Sequence, residues 1–327
     1  MSLRIGTSGW NYPAGKGTWN GLFYPASRSK KAGTADFDEL RFYAEHFGTV
    51  EVNSTFYGVP RAEVTAGWAR RTPPGFEFSV KLYQKFTHPK MFRAAALRSA
   101  PGAEGSLLEL MAQVTQSDVD DFKAGIEPLA SASKLGALLA QFPAGFKATE
   151  ETRDYLASLM RAFADYPVAV ELRHKSWSDE LGDTLSLLNQ HRAALVQIDE
   201  PKFRLSIQQN YLPNVTSFYY MRLHGRNAAN WWHHAAAEDR YDYLYSKDEL
   251  REFSDVAGAA EALVKKSYLY TNNHFASKSV VNALMLKAQL GQPIEGEYPD
   301  ALVEAYPTIR GLVRTGSPTP VAPRLSL

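Results

Sequence analysis

Cysteine is absent from the 327 residues, which excludes disulfides, thiolate metal sites and a cysteine nucleophile. Long apolar runs are absent as well. No window approaches the roughly 18 uncharged apolar residues of a membrane-spanning helix. Charge of one sign is not in excess: 36 Lys and Arg stand against 35 Asp and Glu, a net charge of +1. No global field therefore draws the chain to nucleic acid or to a membrane, although a local basic patch would not show in that sum. A glycine-rich phosphate loop is missing too. Gly6 and Gly9 flank Ser8 without forming G-x-G-x-x-G or a P-loop, and Ser8 is not in a nucleophile elbow. No cofactor is implied. The opening MSLRIGTSGW enters a strand with no charged-then-apolar leader, so a cytoplasmic location away from membranes is the expectation.

What the chain does have is eight short apolar runs, nearly all closed by polar side chains. In order they end at Ser8, Asn53, Lys81, Gln141, Glu171 with Arg173, Asp199, Arg222 with His224, and Asn272 to His274. Stretches with helical periodicity separate most of them. Alternating strands and helices fold as α/β with a parallel sheet, and eight units predict a single closed (β/α)8 TIM-type barrel. The strands are expected at 3–8, 49–53, 76–81, 137–142, 168–173, 194–199, 218–224 and 268–272. Helices are expected at about 36–47, 62–71, 118–130, 150–164, 179–191, 247–253, 259–264 and 278–290. A long insertion, 82–135, separates strands 3 and 4, with extra length near 94–105. The connection between strands 6 and 7 carries Pro201 and Pro213 and reads as weakly structured. The barrel domain is placed at 1–314, and a loose Pro- and Ser-rich tail at 315–327.

Strand C-termini form the active face of such a barrel. Side chains alternate across a strand, so the continuous apolar set should face the helices. That turns Glu171 and Arg173, and Tyr220, Arg222 and His224, into the lumen. The same rule sends Glu51, Asn53, Glu77, Lys81, Gln141, Gln197 and Asp199 inward. Buried charges require partners, so a salt-bridge network joining Glu171, Arg173 and Arg222 is expected, with Glu51 and Glu77 deeper and structural. Lys81, Arg173 and Arg222 lie on alternate strands, where convergent cations suit a phosphate or carboxylate. A metal reading of His88, His174, His224 and His274 is not supported. There is no HxxxH or HxH spacing, His233 and His234 are adjacent on a loop, and the nearby cations would repel a divalent ion. Trp10, Trp19, Trp177, Trp231 and Trp232 fall on loops at the same face with Tyr12, Phe56, Tyr57 and Phe275. Aromatic faces there suit sugars or nucleobases, or they fill the loops' own core.

These residues also resemble a known family. IGTSGWNYP (5–13), FYP (23–25), TVEVNSTFY (49–57), FEFSVK (76–81), Thr87 with His88, QFP (141–143), ELRHKSW (171–177), YYMRLHGR (219–226), RYDYLYSKDEL (240–250) and TNNHFASKSVVNALMLK (271–287) are similar to the YecE-like family, domain of unknown function 72. The resemblance implies a TIM-type barrel and no assigned reaction. It departs at His274, where an acidic residue often follows the two asparagines.

The functional expectation is an enzyme, a hydrolase, lyase or isomerase, acting on a phosphorylated or polyhydroxylated substrate such as a sugar phosphate, a nucleotide or a nucleic-acid end. Glu171 and His224 serve as acid and base with Asp199 in reserve. Ser8, Trp10, Asn53, Tyr57, Lys81, Arg173, Trp177, Arg222, Asn272 and His274 bind the substrate, with no metal. The alternative is a non-catalytic module holding nucleic acid or a protein at a basic, aromatic mouth. Nothing in the sequence specifies an oligomeric state.

Overall fold

All eight apolar runs form parallel strands. The computed structural model describes residues 2–12, 14–26, 37–92, 94, 113–231 and 237–316. The strands are β1 (Ser2–Ser8), β2 (Thr49–Val52), β3 (Glu77–Lys81), β4 (Leu135–Gln141), β5 (Val168–Glu171), β6 (Ala194–Leu195), β7 (Gln197–Asp199), β8 (Tyr219–Leu223) and β9 (Lys266–Thr271). Their order is β6-β5-β4-β3-β2-β1-β9-β8-β7. The two ends of that series, β6 and β7, are one run of chain parted only at Val196. Val196 N–H donates to the Val170 carbonyl at 2.9 Å, while β7 pairs with β8. The sheet therefore closes on itself, leaving no free edge.

The helices are α1 (Glu39–His46), α2 (Ala62–Arg71), α3 (Gln84–Thr87), α4 (Gln116–Ser131), α5 (Glu150–Ala162), α6 (Ser176–Asp179), α7 (Leu181–Gln190), α8 (Lys247–Glu261) and α9 (Lys278–Gln289). Local chemistry sets several of their starts. Asp38 accepts from the Leu40 and Arg41 N–H groups at the head of α1. Capping boxes open α4 (Thr115 with Asp118), α5 (Thr149 with Thr152) and α8 (Ser246 with Glu249), each satisfying N–H groups that the helix cannot.

Some expectations need correcting. The helix expected over 179–191 is α7, and a separate short turn of helix, α6, precedes it and ends at Asp179. The pieces expected at 247–253 and 259–264 are one continuous helix, because Leu250, Phe253, Ala257 and Ala260 keep one face buried throughout. Beyond α9 the chain adds β10 (Glu297–Tyr298), α10 (Asp300–Ala305) and β11 (Arg314–Thr315), and β10 pairs with β11. Residues 95–105 of the insertion, Trp232, His233 and His234, and 317–327 of the tail lie outside the described residues.

The insertion helix α4 lies close against the segment leading into α2. A Cβ on Gly125 would meet the Pro60 carbonyl oxygen at 2.0 Å, and the Thr65 hydroxyl donates to the Gly125 carbonyl at 2.7 Å. Gly125→Ala should therefore destabilise by about 1–3 kcal/mol, although alanine is the better helix former. Urea denaturation measures it. An unchanged midpoint would mean that this contact is loose.

Inside, the barrel is polar where branched apolar side chains are usual. At the base, Glu77 accepts from Lys266 Nζ (2.8 and 3.0 Å), the Tyr268 hydroxyl and Arg4. One layer up, the Tyr270 hydroxyl meets Thr49 Oγ1 at 2.7 Å and Ser79 Oγ at 2.9 Å. Above that lies Glu51. The carboxylate and hydroxyl oxygens of this column answer one another or a cation, as a low-dielectric interior requires.

Candidate functional site at the barrel mouth

Arg222, 1% exposed, is the hub of the top layer. Its Nε and Nη2 donate to the two carboxylate oxygens of Glu51 at 2.9 and 2.6 Å. Its Nη1 donates to Glu171 Oε2 at 2.5 Å and to Gln141 Oε1 at 3.3 Å. The Tyr220 hydroxyl adds a 2.7 Å bond to Glu51. Glu171 in turn takes Arg173 through Nε (2.7 Å) and Nη2 (2.5 Å). The expected junction of Glu171, Arg173 and Arg222 is present in the geometry, with Glu51 as a full member. Arg222 is thereby committed to carboxylates, which leaves it no free face for a substrate anion.

Burial alone would raise the Glu171 carboxyl, but Arg173 and Arg222 outweigh it and hold the group well below the usual carboxylate range. It is a fixed anion. His224, fully buried, is pushed down to about 3 by burial and by Arg222, so its imidazole is neutral. Its Nδ1 pairs with Asn272 Nδ2 at 2.8 Å, and its Nε2 lies 3.3 Å from Arg173 Nη2. Trp231 covers it edge-on at 6.5 Å.

The phase expected for the sixth strand is off by one residue. Ile198 is in register with inward Arg222, and Asp199 with outward Leu223. Gln197 and Asp199 therefore face away from the lumen. Asp199 accepts from Arg226 at 2.8 and 3.0 Å and from the Tyr245 hydroxyl at 2.7 Å. The residue that turns inward is Glu200, which sequence reasoning missed. It lies 3.1 Å from Arg173 Nη1, and the oxygen concerned has no hydrogen bond of good geometry. Burial, against the pull of Arg173, pushes its carboxyl up. Because 194–198 is apolar on both faces apart from Gln197, only the adjacency of two acids at its end hinted at this.

Three groups on neighbouring strands remain uncommitted. Ser8 Oγ, at the end of β1, and Asn53 Oδ1, just past β2, have no hydrogen-bond partner among the described residues. Lys81, the last residue of β3, is part-exposed, and its ammonium lies 4.1 Å from the centre of the Phe56 ring. No carboxylate forms an ion pair with it among the described residues. Burial and Arg222 push it down to about 7. His88, whose ring packs on the same Phe56 at 4.9 Å, is pushed down to about 4 by burial and by Lys81.

The aromatics divide. Trp10 turns outward onto Trp68 and Phe78, because Gly9 takes a φ of +91°, so it does not roof the mouth. Trp177 is fully buried on Phe146 and donates to its carbonyl at 2.8 Å. His274 stacks on Tyr12 at 4.5 Å and against Tyr241 at 4.9 Å. Tyr57, 73% exposed, stands at the rim. His174 binds Ser176, and Lys175 pairs with Asp179, away from the lumen. Among the described residues, no three His, Asp or Glu side chains form a metal-holding group, and no helix is long and apolar enough to cross a membrane.

Open cavities lie elsewhere among the described residues: about 350 Å³ within the 202–211 loop, and about 730 Å³ at the barrel base near Lys265 and Tyr268. The buried carboxylate at the base, Glu77, is already paired with Lys266 and Arg4. Among the described residues, the mouth brings unpartnered Ser8 and Asn53 together with the displaced acidities of Lys81, Glu171 and Glu200, and it is the stronger candidate on chemistry.

Known proteins share this architecture. A structure of a DUF72 family protein from Thermotoga maritima is 30% identical, with a TM-score of 0.71 over 89% of this chain and all of that one. One from Enterococcus faecalis, 23% identical, has a TM-score of 0.71 over 90% of this chain and 98% of that one, a likeness of fold. UPF0759 protein YunF of Bacillus subtilis is 26% identical over 311 residues, 92% of this chain and 99% of the relative. UPF0759 protein YecE of Escherichia coli is 30% identical over 137 residues, 41% of each chain. Residues 4–303 match the family described as "Protein of unknown function DUF72", and the chain belongs to that family.

Proposed function

We propose that the barrel mouth carries out acid/base chemistry on a small phosphorylated or polyhydroxylated substrate. The observation that carries this reading is Arg173, which lies between two carboxyls of opposite tendency. Glu171 is held low and Glu200 is pushed up. Neighbouring titratable groups driven apart in this way divide into fixed charge and proton carrier. Glu200 is the acid, and Lys81 in its amine form is the base. Glu171 and His224 hold the arginines, and Asp199 takes no part. Ser8 and Asn53 receive substrate hydroxyls, and Lys81, when protonated, meets an anionic group. With both arginines neutralised, the described residues of the mouth form no extended basic track of the kind nucleic acid needs, which favours a small ligand over an oligonucleotide.

Calorimetric titration of phosphate, ribose 5-phosphate and a short oligonucleotide into wild type and Lys81→Met, at two salt concentrations, tests this. A charge-assisted contact is worth about 1.5–3 kcal/mol, so Lys81→Met should weaken sugar-phosphate binding at least about tenfold. Absence of millimolar binding by wild type, or equal binding by the variant, removes the reading. Tighter binding of the oligonucleotide, with a steep salt slope, would transfer the site to a nucleic-acid module.

A further inference from the structure

We infer that Lys81 is a covalent nucleophile, and that the substrate carries an aldehyde or ketone which this lysine captures as an imine. The inference rests on the small-substrate reading above and deepens it.

The geometry gives Lys81 features that a surface lysine lacks. It ends a barrel strand with its Nζ over an aromatic ring at 4.1 Å, where a lone pair is not consumed by a hydrogen bond. The charged groups that act on it come from across the barrel, and His88 packs on the same Phe56 ring. Glu51 of β2 and Glu171 of β5 are the anions, while Arg222 of β8 and Arg173 beyond β5 are the cations. The anions are engaged by the arginines at 2.5–2.9 Å. Burial first, and then the charge of Arg222 and Arg173, outweigh the pull of the already engaged Glu171 and Glu51, a setting that favours free amine over ammonium. Partial exposure leaves it reachable from the mouth. Ser8 Oγ, at the end of β1 two strands away, and Asn53 Oδ1, just past neighbouring β2, lack hydrogen-bond partners among the described residues and are on offer to the hydroxyls that flank a sugar carbonyl. A lysine meant only to neutralise an anion would gain nothing from being kept close to neutrality.

The chemistry balances without a further reagent. The amine nitrogen adds to the carbonyl carbon, the C=O π pair moves to oxygen, and the nitrogen passes a proton to that oxygen through water. Loss of the oxygen as water, with one more proton, leaves the iminium, which withdraws electrons from the adjacent carbon. Hydrolysis reverses each step.

The test is reductive trapping on the full chain. Wild type, Lys81→Arg and Lys81→Met are each exposed at pH 7.5 to glyceraldehyde 3-phosphate or dihydroxyacetone phosphate with sodium borohydride, which reduces the iminium to a stable secondary amine. Peptide mass spectrometry then gives labelling rates for every lysine. The expected result is an adduct on the peptide bearing Lys81, formed at least tenfold faster than on surface lysines and missing from both variants. Labelling spread evenly over the lysines of the wild type, with Lys81 no faster, overturns the inference whatever the variants' folding. Glycerol 3-phosphate, which has no carbonyl, is titrated in parallel. If it binds while neither triose traps, the imine fails and the substrate-site reading stands. If Lys81 traps while glycerol 3-phosphate does not bind, the nucleophile stands and the phosphate preference falls.

Discussion

Arg222→Ala should lower unfolding stability by about 3–5 kcal/mol, the largest effect expected of a single side chain in this protein. Glu51 and Glu171 are both fully buried, and Arg222 supplies each with charge and hydrogen bonds. Removing it leaves Glu51 with only the Tyr220 hydroxyl and Glu171 with only Arg173 and His224. A buried anion without its cation loses far more than the hydrogen bonds themselves. Arg222→Lys should recover part of the loss, since an ammonium restores charge but not the fork that grips two carboxylates at once. Urea midpoints of the three proteins decide the matter. Equal midpoints would show that the carboxylates reach other partners or water.

Acid should weaken the fold well above the range where carboxylates titrate. His224 and His88 are neutral when folded, at about 3 and 4, against 6.5 when unfolded. The sign follows from proton counting. Between pH 6.5 and the folded values the unfolded chain binds more protons, so stability rises with pH there. Their contribution is present in full above about 6.5 and is lost as the pH falls toward and through the folded values. At pH 5 the loss is about 2 kcal/mol for each of the two. His274, pushed to about 4 by burial, acts in the same sense. Glu171, held low, adds its own loss only as the pH drops below the ordinary carboxylate value of 4.5. Unfolding free energies at pH 7.5 and pH 5 measure the difference. A flat profile over that interval would mean that these rings accept protons without unfolding.

The barrel was legible because strand ends and strand phase leave marks of different kinds. Polar closure of each run marked the ends, and these agree with the strands to within one or two residues at the mouth. Phase needs alternation. In 168–173 the inward acid and base stand between apolar residues, and in 219–224 they do so again, so Glu171, Arg173, Arg222 and His224 could be aimed correctly. In 194–199 alanine, leucine, valine and isoleucine occupy both faces, so a polar pair at its end could be aimed either way. Glu200 stayed hidden there behind Asp199. Trp10 was misplaced for a different reason, because a left-handed Gly9 redirects the chain in a way that no periodicity records. The commitment of Arg222 could not be read either. A sequence shows that charges of both signs point inward, but which of them saturate one another depends on layer height around the ring. The short β10 and β11 carry too few residues for any pattern.

Sequence separation gives the network another consequence. Glu51 and Arg222 stand 171 residues apart, while Glu171 and Arg222 stand 51 apart. A chain growing from its N-terminus completes the first four strands with Glu51 still lacking its cation. The later strands, β5 to β9, hold Arg222 with Glu171 but without Glu51 and Gln141. Neither half-barrel is therefore a comfortable resting state, because desolvating either polar floor early is unfavourable. The cavity must stay wet until the late strands arrive, and closure of the ring and expulsion of that water become one event. Folding is thus tied to a contact of long range, and an interrupted chain exposes a charged groove in place of an apolar one.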